Sequence, residues 1–136
     1  MAAERDLDCL LRTMSPELQD GVFVFCTVAP EVGPPAGLTP LMLFREREAT
    51  TLIVRREDAE RAGLSYHFSA RLITLSVHSA LDAVGFLAAV TTTLAAAGIS
   101  VNAVSAFHHD HLFVPEARAD EAVLLLQEMS RHTASR

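Results

Sequence analysis

Chemistry in this chain would gather in two short stretches, His108-His109-Asp110-His111 and the run from His78 and Ser79 through Leu81 and Asp82 to Gly85. Imidazoles beside a carboxylate are a plausible transition-metal ligand set, with His109 and His111 on one face if the segment is extended. Such a site needs a third or fourth ligand at defined geometry, and neither Cys9 nor Cys26 is spaced to supply it. Asp forms turns readily and His is tolerated at a hairpin tip, so the same residues also read as a tight hairpin in contact with a ligand. That reading is carried forward, with no metal and no other cofactor assigned. Ser79 lacks the glycine frame of a nucleophile elbow, and no Ser/His/Asp or Cys/His arrangement can be assembled. The expectation is therefore a non-catalytic protein. His78 is either a hydrogen-bonded residue on a sheet face or part of the rim of a binding site.

The elements that must hold these residues follow from the spacing of apolar positions. Leu7, Leu10, Leu11 and Met14 predict a short amphipathic helix, ended by Ser15-Pro16. Asp20-Gly21 turns the chain into Val22 to Val28, an apolar run expected to be a central strand covered on both faces. Pro30 to Pro40, with Gly33-Pro34-Pro35 and Gly37, reads as a connecting loop. Leu41 to Arg45 and Thr50 to Arg55 predict a hairpin across the solvated tip Glu46-Arg47-Glu48-Ala49, and a helix from Glu57 to Ala62 ends at Gly63. Tyr66 to Val77 is long for a strand and is expected to bend near Ser69; Ile73, Leu75 and Val77 face the core, and Thr74, Ser76 and His78 the polar side.

A helix is predicted from Asp82 to Ala97, capped by Ser79 or Asp82 and closed by Gly98. Val84, Leu87, Val90 and Leu94 form its stripe, and the absence of a charged face implies burial on more than one side. A strand from Ile99 to Phe107 follows, with Ile99, Val101 and Ala103 apolar. The histidine tip turns it back into Leu112-Phe113-Val114. Pro115 opens a last helix with Ala119, Ala122, Val123, Leu126 and Met129 on one face. This order amounts to two copies of a βαββαβ plan, the first lacking its first helix and the second its last strand. The absent strand is expected from within the chain, with Val22 to Val28 as the candidate, or from a dimer mate.

Composition narrows the function. The chain has 136 residues, half of them hydrophobic, with 11 basic against 17 acidic side chains and only six Gly and six Pro, which describes folded α+β material rather than disorder. A net charge of −6 without a basic cluster excludes a phosphate-backbone binder, so nucleic acid is not an expected partner. The uncharged stretch from Ala83 to Phe107 is interrupted by Gly98 and by Ser, Thr and Asn, and divides into a buried helix and a strand rather than a membrane span. Acidic residues occupy the positions where a signal peptide needs positive charge, and the two cysteines make no disulfide framework; the expected location is cytoplasmic.

The run Val84-Gly85-Phe86-Leu87-Ala88-Ala89-Val90-Thr91, continued by Leu94-Ala95-Ala96-Ala97-Gly98-Ile99-Ser100-Val101, closely resembles the PGLLAxVTxxLAxxGINI core of ACT domains, ligand-sensing modules of amino-acid metabolism. GVFVFCTV, FREREATTLIV, ITLSVHSALDAVG and FHHDHLFVP extend the likeness over nearly the whole chain, to small bacterial proteins built only of paired ACT-like units. One departure is Val84 where the family has Pro, from which an earlier helix start, at Ser79 to Asp82, is expected. The resemblance implies tandem ferredoxin-like (βαββαβ) units with antiparallel sheets and helices packed on one face, residues 1–65 with a leading helix and 66–136 as βαββα. It implies a regulatory protein that binds an amino acid or similar small ligand where ACT units meet, a homodimer, and a partner enzyme or transporter. A ligand-free assembly module of the same fold is the alternative. Helix N–H groups at Leu81 to Gly85 suit a carboxylate, and Asp110, or Asp82 if it does not cap the helix, suits an α-ammonium. The ligand-binding set is His78, Ser79, Leu81, Asp82, Val84, Gly85, Phe86, Phe107, His108 and Asp110.

Overall fold

The computed structural model describes residues 3–135. In chain order the elements are α1 (Leu7–Thr13), β1 (Pro16–Leu18), β2 (Phe23–Val28), β3 (Met42–Arg45), β4 (Thr50–Arg55), α2 (Arg56–Arg61), β5 (His67–Leu75), α3 (Phe86–Ala96), β6 (Asn102–Ser105), β7 (Asp110–Pro115) and α4 (Ala119–Ala134). The chain divides into two compact units, one of residues Gly21–Ala70 and one that joins the residues up to Asp20 to those from Arg71 onward.

In the Gly21–Ala70 unit the strand order is β3-β4-β2 followed by the first residues of β5. β4 pairs antiparallel with β3, Met42 opposite Ile53 and Arg45 opposite Thr50, which is the expected hairpin. On its other side β4 pairs with β2 from Phe23↔Arg55 to Val28↔Thr50. Val24, Cys26, Leu52 and Val54, alternate residues of two neighbouring strands, pack on Ala59 of α2. Gly63 ends that helix, as expected. No helix stands between β2 and β3, so this half lacks the first helix of the plan. Two expectations change. Thr27 is exposed and Phe25 half-buried, so β2 is not covered on both faces. The irregularity anticipated at Ser69 falls at Phe68, whose φ is 56° and whose ring lies 5.9 Å from that of Phe25; the pairing with β2 slips there.

In the other unit the ladder runs β1-β5-β7-β6, with β1 antiparallel to β5 from Pro16↔Leu75 to Leu18↔Ile73. The strand expected from Val22 to Val28 or from a dimer mate is therefore Pro16–Leu18, in residues that read from sequence as a break. Proline is acceptable at the first position of a strand, and this one opens β1. Ile73 and Leu75 of β5 and Leu112 and Val114 of β7 face a core completed by Leu10 and Leu11 of α1, Phe86, Val90 and Leu94 of α3, and Ala119, Ala122 and Leu126 of α4. Ile73, Leu75, Leu94, Leu112 and Leu126 are fully buried, each contributing roughly 1.5–3 kcal/mol of apolar transfer.

Three further sequence expectations fail in this unit. The helix predicted from Asp82 starts at Phe86, because Gly85, with φ 93° and ψ −11°, stands at its N-cap in the left-handed region and no side chain caps it. Its buried stripe is Phe86, Val90 and Leu94, with Val84 84% exposed ahead of the helix and Ala88, Thr92, Ala95 and Ala96 exposed, so one uncharged face is open. β6 covers only Asn102–Ser105 and, as an edge strand, leaves Ala103 exposed instead of turning it inward. Among the described residues no helix is long and apolar enough to cross a membrane.

Candidate functional site

The segment between β5 and α3 carries most of the residues singled out above, and the N-terminal residues hold it in place. Ser76 N–H donates to Ser15 O, Glu4 N–H to His78 O, and Ala80 N–H to Glu4 O, each at 2.8 Å. A turn closed by Ala83 N–H donating to Ala80 O leads to Gly85, whose carbonyl accepts Ala89 N–H at 2.9 Å, the first bond of α3. The remaining first-turn N–H groups of α3 have no side-chain cap, which concentrates partial positive charge there. Asp82 is not a cap either. Its carboxylate pairs with Arg5 at 3.0 Å, and that guanidinium holds its pKa below the ordinary value.

Opposite this helix end stands the β6–β7 hairpin. Ala106 N–H donates to His109 O at 3.0 Å, so the tip is 106–109 and not the histidine run itself. Ser105 therefore lies opposite Asp110 in the register, and its hydroxyl donates to Asp110 Oδ1 at 2.5 Å. Asp110 is only 9% exposed. His109 Nδ1 lies 3.1 Å from the Val77 carbonyl; a carbonyl only accepts, so Nδ1 carries the proton. His111 Nδ1 is 3.0 Å from Thr74 Oγ1, and burial, with the charge of His109 second, pushes its pKa below the usual imidazole value.

Helix end and hairpin enclose a cavity of about 200 Å³, lined by Ser79, Ala80, Leu81, Ala83, Phe86, Leu87, Ser105, Ala106, His109 and Asp110. A wider hollow of about 490 Å³ shares Ser79, Ala80 and Leu81 with it and adds Ala3, Arg5, His78, Asp82 and Phe107. At its edge three rings meet in a chain, His78 tilted against His108 at 5.3 Å and His108 edge-on to Phe107 at 5.0 Å between centroids. Of the ten candidate residues, Ser79, Leu81, Phe86 and Asp110 line the cavity; His78, Asp82 and Phe107 line the hollow; Val84, Gly85 and His108 line neither. Ser105 and His109 were not singled out as ligand contacts. Placing the hairpin tip at 106–109 would have set Ser105 across from Asp110. Among the described residues no group of three or more His, Cys, Asp or Glu side chains could hold a metal ion.

A helix N-terminus facing a strand hairpin in one βαββαβ unit, with a second unit of the same plan that lacks its first helix, defines a tandem ACT architecture. Comparison with known proteins agrees: two ACT domain models match residues 2–71 and 68–128, and the chain belongs to the ACT domain family. A Vibrio cholerae protein of unknown function, described as a possible transport protein, is 44% identical over 91% of this chain and 95% of its own, with a TM-score of 0.81. An Agrobacterium tumefaciens protein is 17% identical (86% and 89% covered, TM-score 0.73). The regulatory subunit of aspartate kinase from Thermus flavus is 10% identical (85% and 96% covered, TM-score 0.66), a likeness of fold. No curated protein matches the sequence.

Proposed function

We propose that the chain is a non-catalytic regulatory ACT protein whose ligand is an amino acid or a close analogue. The observation that carries this reading is Asp110. A carboxylate that is 9% exposed lines a cavity beside the uncapped N-terminus of α3, so one small space offers negative charge and positive dipole together. A zwitterion supplies the complement of both: an ammonium for the carboxylate and a carboxylate for the helix end. An assembly module without a ligand would be expected to fill this space with side chains, and about 200 Å³ is open.

In this reading Ser79, Leu81, Phe86 and Asp110 touch the ligand and Gly85 lets it approach the backbone, while His78, Asp82, Val84, Phe107 and His108 form a rim that a second copy of the chain covers. Leu81, Val84 and Phe107 are 68%, 84% and 68% exposed, which suits such a cover. Residues 1–65 and 66–136 are the two ACT-type halves in sequence, with α1 and β1 completing the fold of the second. The protein works in the cytoplasm as a homodimer, and occupancy alters its association with an enzyme or transporter.

Thermal shift and calorimetric titration against each of the twenty amino acids test the reading. A ligand at 100 times its Kd stabilises by about 2.7 kcal/mol, a rise of several degrees in Tm. No shift with any amino acid at millimolar concentration sinks it and leaves the assembly module.

A further inference from the structure

We infer that Ser105, His109 and Asp110 form a subsite for a primary ammonium group, and that it is what separates amino acids from 2-hydroxy and 2-oxo acids of the same carbon skeleton. The inference rests on the proposed amino-acid reading and adds the residues that select the ligand's charged nitrogen.

The hydrogen-bond inventory of the cavity carries it. Nδ1–H of His109 is committed to the Val77 carbonyl at 3.1 Å, so an imidazole that carries only this proton has its Nε2 lone pair left to offer. The Ser105 proton is committed to Asp110 Oδ1 at 2.5 Å, so the hydroxyl oxygen offers lone pairs and no proton. Asp110 keeps the capacity of Oδ2. All three side chains line the same cavity, and its remaining lining residues, from Ser79 to Leu87 and Ala106, bring no charged group. The remaining side-chain donor of the lining, Ser79, points its proton at the Ala80 carbonyl at 3.4 Å, so the Ser105, His109 and Asp110 wall presents three acceptors and one negative charge, with its candidate donor protons already directed elsewhere. An ammonium has three N–H donors, a positive charge and no acceptor, which is the complement group for group. A hydroxyl in its place supplies one donor and no charge. A keto oxygen supplies no donor at all and sets its lone pairs against those of the wall. A tertiary or quaternary amine leaves acceptors unmatched, and unpaired buried polar groups are what give hydrogen-bonding sites their discrimination.

Asp110 stands beside His109 in the chain, and the rings of His108 and His111 each lie 6.4 Å from its own. The ion pairs Arg5–Asp82, Arg61–Asp58 and Arg118–Glu121 are made elsewhere, and among the described residues none pairs with Asp110.

The experiment measures Kd by calorimetry at pH 8 for each amino acid that binds, its 2-hydroxy analogue and its N,N-dimethyl derivative, on the wild-type protein and on Ser105→Ala, His109→Ala and Asp110→Asn. The wild type is expected to prefer the amino acid at least tenfold. Loss of a hydrogen bond to a charged group corresponds to about 10- to 100-fold in Kd, so each variant should weaken the amino acid by that order. The variants should leave the hydroxy acid's affinity nearly unchanged, so the preference collapses. Retained hydroxy-acid binding shows an intact cavity, and Ser105→Ala, at an exposed strand position, covers the case in which Asp110→Asn fails to fold. Amino acids that bind equally well to all three variants, or no better than their hydroxy analogues, overturn the ammonium subsite and leave the amino-acid reading standing. An absence of binding by every amino acid to the wild type overturns both.

Discussion

Replacing Gly85 by Ala isolates what holds the start of α3. At φ 93° a side chain is strained whatever space surrounds it, and here the space is adequate: a Cβ would meet only Leu7 Cδ2, at 3.5 Å, an ordinary contact. The cost is therefore conformational, about 1–2 kcal/mol for an L-residue held in the left-handed region. Alanine also restricts the unfolded chain, which returns about 0.4–1 kcal/mol, for a net loss between about zero and about 1.6 kcal/mol, about 0.8 kcal/mol at the midpoints. The midpoint corresponds to a drop in Tm of about 2–6 °C for a chain of this size. Urea unfolding followed by far-ultraviolet circular dichroism reads the loss directly, and an unchanged m-value would show that the compactness of the unfolded state is unaltered. Gly85→Asn should lose less, since Asn tolerates this backbone region. Gly98→Ala is the comparison at the other end of the helix: its φ is 74° and nothing lies within 4 Å of the added Cβ, so its cost is strain alone. Ligand-induced stabilisation should survive in Gly98→Ala and fall in Gly85→Ala. A Gly85→Ala protein more stable than the wild type would mean that residue 85 has negative φ, and that the helix begins near Asp82 as its sequence suggests.

Leu94 is fully buried among α3, α4 and the sheet, and Leu94→Ala should cost about 2–5 kcal/mol in urea unfolding, whereas Leu124→Ala, at a position 57% exposed, should stay within about 0.5 kcal/mol. Stability should also depend on pH through His111. Its folded pKa is depressed below 6.5, first by burial, so the unfolded chain binds the proton more readily; the contribution is intact above about pH 6.5 and is lost as pH falls below it towards the folded value. His111→Gln should flatten that part of the Tm-against-pH curve, and an unchanged slope would remove His111 as its origin. A thiol reagent at pH 8 should modify half-buried Cys9 in the native protein and reach Cys26 only on unfolding, since Cys26 is 2% exposed and burial raises its pKa; equal native rates, read by peptide mass spectrometry, would contradict this.

How far the sequence discloses this molecule depends on whether each feature is local. The hairpin Met42–Arg45 with Thr50–Arg55, the helix ended by Gly63 and the last helix after Pro115 each carry their own turn chemistry and periodicity, and each is found where it was read. β1 carries no such mark. Three residues opened by a proline have no periodicity, and they become a strand only because β5, far along the chain, presents an edge that Pro16–Leu18 can pair with. The start of α3 failed for a related reason. Ser79 and Asp82 form a sound local capping pattern, but Asp82 is taken by Arg5, while Ala80 N–H is taken by Glu4 O, so residues from the opposite end of the sequence outcompete the cap. The candidate site divides along the same line. Asp110 and the residues around Phe86 could be found from their own segment and its family likeness. Ser105 and His109 acquire a role only once the hairpin register sets the one opposite Asp110 and the Val77 carbonyl fixes the proton of the other. A cavity wall is a product of register, and a slip of two residues at the tip was enough to pass over its hydrogen-bonding half.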